Sequence, residues 1–445
     1  MKKKSVPNIV TKKLKDAISY AVANKDAFVK RPGVDFTRDR KLPFETMLFT
    51  LISMGVNSLK KELFEFSETL NINVTSSAFI QQRKKIKPDV FQAIFQHFNA
   101  AASRKKTFRG YQLLAADGSD INMPRNPNSP TFIKHSQHPR GYNQYHLNAL
   151  YDIQNRVYFD AELQPRPQEN ERAALIDMLN RNKFDKKTIV VVDRGYESYN
   201  MLATFIETKG IDFVARVKNR GGGAIAEIEK LPMVELDRDI SFEVSTRQTK
   251  DDKLHKRRFI QTGSKKGKEN SSKTVISRWD FPSPYTFRFR VVRFLLDNGN
   301  YETIATSLPR EKFSAADIKE LYRMRWVIET SFRELKYFIG LVSLHGKSDE
   351  FVAQEIFSSL IIYNYSEYIT GELVVNNSEK NIHTYQVNFS MAFFLCRNYL
   401  KKRQDDGERL NENIRRYVEP IRPGRKDKRK LRPKAFIGFL YRIAA

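Results

Sequence analysis

Apolar residues recur at helical spacing from about Phe44 to Phe98, as in Met47, Leu48, Leu51 and Ile52 and again in Leu59, Leu63, Phe66 and Leu70, which predicts a small helical unit. Thr75 or Ser76 is placed to cap a short helix through Phe79 to Ile86. Its polar side offers Gln81, Gln82, Arg83, Lys84 and Lys85, residue types that reach phosphates and base edges. A DNA-reading helix-turn-helix and a solvated helix of a bundle both fit. Between Tyr111 and Gly210 the pattern shortens to runs of strand length. Residues 113–116, 146–152, 157–163, 188–192 and 211–217 read as strands, the second and third joined by the hairpin-length Ile153-Gln154-Asn155. Helical stretches at 171–182 and 199–209 separate the later strands, the second ended by Gly210. Strand, hairpin, helix, strand, helix, strand is the order of an α/β mixed sheet.

Gly221-Gly222-Gly223 interrupts this pattern, and from about 233 to 301 β-prone stretches alternate with a polar segment. Residues 247–273 hold ten Lys/Arg against three acids, which predicts a basic loop in a β-rich insertion. Residues 263–268 faintly suggest a phosphate loop, but the spacing is one residue short and Glu269 stands where a metal-binding Ser or Thr belongs, so ATP binding is not supported. After a strand at 302–308, Ser314 and Asp317 form a capping-box pattern that opens a long helix to about Ile339. An apolar helix follows at 351–368. Residues 415–434 then carry ten Lys/Arg and two acids, with Pro420, Pro423 and Pro433 opposing regular helix; DNA contact and a solvated tail are the two readings.

At 445 residues the chain should form two to four structural units. Hydrophobic residues at 40% and aromatics at 12% suffice for sizeable cores. Lys and Arg number 78 against 51 Asp and Glu, a net charge of +27, and nucleic acid is the commonest polyanion to neutralise such an excess. An anionic membrane is the rival partner. The six lysines before residue 16 are followed by no apolar signal region, and no run of about 18 apolar residues occurs. A soluble, cytoplasmic protein with no membrane partner is expected. The single cysteine, Cys396, excludes an intramolecular disulfide framework and any multi-cysteine zinc module. His135, His138 and His146 are close in sequence, but without cysteines and with Pro139 after His138 they read as loop or DNA-contact residues rather than zinc ligands.

Two aspartates close apolar strands, Asp117 after 113–116 and Asp193 after 188–192, at the strand end where α/β sheets bind ligands. Singly, each could be a turn residue. Tyr322, Arg325, Glu329 and Lys336 lie at offsets of 0, 3, 7 and 14 in the long helix. At roughly 100° per residue they fall within roughly 60° of arc, a polar face on an otherwise apolar helix. Here the chain resembles the bacterial insertion-sequence transposases of the DDE type with the YREK signature, the IS-four group that includes the Tn-five and Tn-ten enzymes. Tyr322, Arg325, Glu329 and Lys336 match that signature without a gap; Asp193-Arg194-Gly195-Tyr196 and Asp117-Gly118-Ser119 match the two preceding motifs.

The resemblance implies an α/β fold, a ribonuclease H-like mixed-sheet catalytic core with a β-rich insertion. Its expected divisions are a helical N-terminal DNA-binding domain (1–105), the first part of the core (106–220), the insertion (221–301), the second part of the core (302–370) and a helical, basic C-terminal region (371–445). It implies Asp117, Asp193 and Glu329 as a carboxylate triad for two Mg²⁺ ions, Mn²⁺ substituting, a donor set of hard oxygens that suits such ions. Tyr322, Arg325 and Lys336 would contact phosphates of the transposon end, and Arg194, Arg83, Lys84 and Lys85 are further expected DNA contacts. Relatives also excise through a DNA hairpin with an aromatic receiving a flipped base, for which Tyr301 and Trp279 are the candidates. The implied partners are terminal inverted repeats, target duplex and a second copy of the chain, met in the bacterial cytoplasm at the nucleoid. A nuclease of the same fold that never joins ends, and a transposase-derived DNA-binding protein without activity, remain open at this point.

Overall fold

The computed structural model describes residues 5–421 and 439, apart from 39, 71–72, 103–105, 137, 185–186, 222–224, 263–277 and 374–383. The faint phosphate loop, much of the basic loop and most of the C-terminal basic stretch lie outside the described residues. The rest is organised by one ten-stranded mixed sheet. Its strands are β1 (Gln112–Met123), β2 (Phe132–His135), β3 (His138–Asp152), β4 (Val157–Pro165), β5 (Thr188–Val192), β6 (Ile211–Val217), β7 (Leu236–Ser245), β8 (Arg258–Phe259), β9 (Tyr285–Leu295) and β10 (Tyr301–Thr306).

The order across the sheet is β2-β3-β1-β5-β6-β10-β9-β7-β8, with β4 also paired to β3. β1 with β5 and β5 with β6 are parallel, while β1, β3 and β4 form an antiparallel meander. This is the mixed sheet of a ribonuclease H-like core. β5 is apolar at every position from Ile189 to Val192 because it is buried on both faces. Alternate residues serve opposite cores. Leu113, Ala115, Ile189 and Val191 face one core with the N-terminal helices and the Asp349–Thr370 helix. Leu114, Ala116, Val190 and Val192 face the other, beneath helices Glu171–Arg181 and Tyr199–Glu207. The sheet runs on without interruption from β10 into β9 and β7, which pair over Leu236↔Arg293 to Val244↔Tyr285.

Several expectations need correction. β1 does not stop at Ala116. Its parallel pairing with β5 ends at Ala116↔Val192, but β3 continues to pair with it from Asp117↔Ala149 to Met123↔Asn143, so Asp117 lies within a strand. The hairpin from β3 to β4 turns through residues 153–156, with Arg156 at φ 56°. The long helix is segmented as well. Ala315–Met324 and Trp326–Glu334 meet at Arg325, where the bonds Arg325 N–H to Tyr322 O and Ile328 N–H to Arg325 O tighten the turn. A π-turn at Leu335–Ile339 adds a residue before Gly340, at φ 101°, ends the run.

Arg83 is also not a DNA contact. It closes the helix Ser76–Arg83 facing inward, 2% exposed. Its Nε donates to Gln354 Oε1 at 2.7 Å, Nη1 to Glu355 Oε1 at 2.9 Å and Nη2 to the Phe351 carbonyl at 2.7 Å. The guanidinium thereby bolts this helix to the Asp349–Thr370 helix. Lys84 is exposed, and Lys85 is half-buried with Nζ on Gln82 Oε1 at 2.8 Å. A second polar knot joins sheet and helices where Arg156 bridges Glu334 at 3.2 Å and Glu367 at 3.3 Å, and Tyr363 donates to Glu334. Burial pushes the Glu367 carboxyl up to about 7, against the pull of Arg156.

Arg83→Ala should therefore lower folding stability by about 3 kcal/mol, since it removes the guanidinium from the buried Glu355 carboxylate and leaves it to the His345 and Gly346 donors, and leave the salt dependence of DNA affinity unchanged; denaturant unfolding and binding titrations check both. Because the folded carboxyl of Glu367 titrates above its ordinary 4.5, its contribution is fully present below that value and is lost as pH rises through about 7. Glu367→Gln should accordingly gain stability relative to the parent as pH is raised from 4 to 8, in paired thermal melts.

Candidate active site

The two aspartates are brought level by the parallel register. Asp117 follows the last β1/β5 pair on one strand and Asp193 follows it on the other. Asp193 caps the short turn Arg194–Tyr196, its Oδ1 accepting from the Arg194 N–H at 2.7 Å, and Asp117 Oδ1 accepts from the Gly118 N–H at 2.9 Å. The segmented helix passes over this end of the sheet. Arg325, at its break, is 4% exposed and donates Nη1 to Asp117 Oδ2 and Nη2 to Glu329 Oε1, both at 3.0 Å. Tyr322, one turn earlier, donates its hydroxyl to Asp193 Oδ1 at 3.0 Å. Asp117, Asp193, Glu329, Tyr322 and Arg325 are thus one constellation.

Its electrostatics are unbalanced toward negative charge. Burial pushes the Asp117 carboxyl up to about 6, although Arg325 pulls the other way, and the neighbouring Glu171 and Glu329 add to the rise. Asp193 stays below its ordinary value: the burial that would raise it is outweighed by the Arg194 N–H, Arg325, Tyr322 and Arg216. Tyr322 is pushed up to about 12 by burial and by Asp193. One guanidinium serves two carboxylates, and its Nε has no partner. Asp117, Asp193 and Glu329 offer hard oxygen donors of the kind a divalent metal takes, linked in this structure through Arg325 and Tyr322.

Lys336 sits on the π-turn, half-buried, and makes its electrostatic approach to Asp120 rather than to the three carboxylates; burial lowers its pKa against that attraction. Arg194 is exposed and lines a cavity of about 680 Å³ with Arg216, Lys218, Arg220 and Tyr301. Arg216 Nε pairs with Glu302 at 2.9 Å while Nη1 stands 3.6 Å from Asp193. Trp279 is packed instead in an aromatic cluster, 5.5 Å from both Phe281 and Tyr285.

Some residues of this region were not predicted. Arg216 closes an apolar strand as Val-Ala-Arg-Val, and only the β6 register beside β5 brings it to Asp193. His146 leaves the company of His135 and His138, whose rings are 5.5 Å apart at the β2/β3 end. It stands in β3 opposite Asp120, with Nδ1 2.7 Å from Asp120 and Nε2 2.9 Å from Glu171. The carboxylates hold its pKa up to about 9 although burial opposes this. Asp120, His146 and Glu169 could together ligate an ion, but the Arg166 guanidinium already pairs with both carboxylates. The β1/β3 pairing, once known, is the signal that finds His146.

A ribonuclease H-like sheet with acidic groups gathered at the β1/β5 end defines the polynucleotide-processing class, and comparison with known proteins narrows it. Residues 108–365 match the family described as Transposase DDE domain. The chain belongs to this family and is an enzyme that acts on DNA with divalent metal. It is 24% identical over 357 residues, 76% of its length and 72% of the relative's, to the transposase InsG for insertion sequence element IS4 of Escherichia coli strain K12. It is 33% identical to the putative transposase InsL for IS186A of the same organism over 90 residues, 20% of the chain and 24% of that relative. Among solved structures, a piggyBac transposase synaptic complex with hairpin DNA aligns with 95% of the chain and 84% of its own, at 10% identity and a TM-score of 0.43. Among the described residues, no helix is long and apolar enough to cross a membrane.

Proposed function

We propose that this transposase cuts DNA at the terminal inverted repeats of an insertion sequence and joins the freed ends to target DNA, working as a homodimer at the bacterial nucleoid. The observation that carries the reading is the convergence of Asp117, Asp193 and Glu329 around Arg325 and Tyr322. The three carboxylates would hold two Mg²⁺ ions, with Mn²⁺ able to substitute. Such ions, when bound, generate a nucleophile from water or a DNA 3′-hydroxyl and stabilise the leaving 3′ oxygen of an in-line displacement.

The protein groups divide the remaining work. Glu329 and Asp117 approach from opposite elements, helix and strand, and Arg325 between them keeps the two carboxylates from separating. Tyr322 orients Asp193, and its phenol keeps its proton as a donor because burial holds its pKa high. Lys336 supplies a point charge to phosphates near the scissile bond, whereas Arg325, buried with both Nη groups taken by Asp117 and Glu329, adds its charge to the site without a free prong for phosphate. Arg194 and its basic neighbours extend that charge into the adjacent cavity, which has room for part of a DNA strand. Tyr301, in the cavity wall, is better placed than Trp279 to stack on a flipped base, as hairpin excision would require. Lys84, exposed at the N-terminal unit, and Lys85 beside it add phosphate contacts away from the chemistry.

On a labelled duplex carrying the element's own end, Mg²⁺ should support release of a 3′-hydroxyl end and its joining to a second duplex. Glu329→Gln should reduce cleavage to background while leaving end binding intact, because it removes a ligand charge and little shape. Cleavage that survives the change would reject the triad, and cleavage without joining would indicate a nuclease. Lys336→Ala should lower the slope of log affinity against log salt by about one; an unaltered slope would show that Lys336 makes no phosphate contact.

A further inference from the structure

The glycines that follow the two aspartates are not there for a left-handed backbone. Gly118 lies inside β1, and neither Gly118 nor Gly195 has a positive φ. At Gly118 the reason is space: a Cβ would stand 2.1 Å from His146 Nε2 and 2.7 Å from Glu171 Oε1, closer than atoms can approach. Gly195 is looser, with Glu171 Oε2 at 3.7 Å from the place of its Cβ. One carboxylate therefore lies against the backbone next to Asp117 and against the backbone two residues after Asp193.

That carboxylate is itself firmly held. Glu171 opens the helix Glu171–Arg181, whose start is fixed by Asn170 accepting from the Ala173 N–H. Its Oε1 meets His146 Nε2 at 2.9 Å, and the other ring nitrogen is fixed by Asp120 at 2.7 Å. His146 is 5% exposed, so the ring has little freedom to turn. The next residue, Arg172, donates Nε to the Gly195 carbonyl at 3.0 Å. A single helix start thus touches both segments that carry the aspartates, the strand at Asp117-Gly118 and the turn after Asp193, and reaches the first through a clamped imidazole.

We infer that Glu171, held by His146, is a positioning residue that keys the Asp117-Gly118 segment to the Asp193-Arg194-Gly195 segment and so sets the spacing of the two aspartates. The inference rests on the assignment of Asp117, Asp193 and Glu329 as metal-holding carboxylates. Glu171 acts by reach, so a side chain of equal length should serve better than one of equal charge.

The test compares full-length protein bound to an end duplex, as parent, Glu171→Gln, Glu171→Asp, His146→Gln and Glu329→Gln, by titration with Mn²⁺ followed by electron paramagnetic resonance, with melting temperature and end affinity measured alongside. Glu171→Asp keeps the charge but withdraws it, and should weaken Mn²⁺ binding about 10- to 100-fold, the usual effect of losing a group that orients metal ligands. Glu171→Gln keeps the reach and should bind Mn²⁺ more tightly than Glu171→Asp, with His146→Gln weakened like the latter. End affinity should not change. The reverse order, with Asp tolerated and Gln not, would make Glu171 a direct ligand and overturn the inference. So would folded Glu171→Asp and His146→Gln proteins that titrate as the parent does, even if their melting temperatures fall. Glu329→Gln separates the two readings: if it binds Mn²⁺ like the parent, the carboxylate assignment has failed. If it loses Mn²⁺ and the Glu171 variants do not, only the positioning role has failed.

Discussion

The parallel pairing of β1 with β5 is the constraint from which the site follows. It ends at Ala116↔Val192, and each strand places an aspartate at the next position. Because parallel strands expose their C-terminal ends on the same side, the two carboxylates arrive at one level without any loop having to fold back. Everything else is arranged around that level: β3 carries β1 onward, β6 adds Arg216 at the edge, and the segmented helix crosses above with Tyr322, Arg325 and Glu329.

Gathering carboxylates this closely costs stability, and the chain offsets the cost locally. Arg325 is shared by Asp117 and Glu329, Arg216 by Asp193 and Glu302, and His146 by Asp120 and Glu171. The Asp117 carboxyl is raised all the same, chiefly by its burial. Farther back, Arg83 with Glu355 and Arg156 with Glu334 and Glu367 are buried among structural elements, where they fix helix against helix and helix against sheet. The same residue types therefore do two kinds of work, separated by what lies around them.

Much of the fold was legible in the sequence where burial is uniform. β5 and β6 are found at 188–192 and 211–217 as read, since an apolar run bounded by charge and glycine has few other uses. The pattern failed where the chain serves the site. The second half of β1, Asp117-Gly118-Ser119-Asp120, is polar because it faces the acidic cluster, so propensity ended the strand too early. Nothing local announces the break at Arg325; of its two carboxylate partners Glu329 is the i+4 neighbour, and only Asp117 comes from a distant strand. Arg83 was read as a surface cation because its partners, Gln354 and Glu355, are far away in sequence. Three carboxylates and the Tyr322-Arg325 pair were legible as motifs, whereas Glu171 and His146 became visible only through register and through the space denied to a glycine.

The Asp349–Thr370 helix has a further significance. It is buried along nearly its whole length and packs against helices Val6–Ala23, Phe44–Ser53, Asp89–Ala101 and Phe389–Lys401, and against β4. A segment about 250 residues beyond the helices at 6–101 thus forms the floor of their unit. The amino-terminal helices cannot complete their core until this helix has emerged, so nascent chains must wait through most of translation with apolar faces uncovered. Completion of the amino-terminal core is in this way tied to a segment that follows Glu329 in the chain.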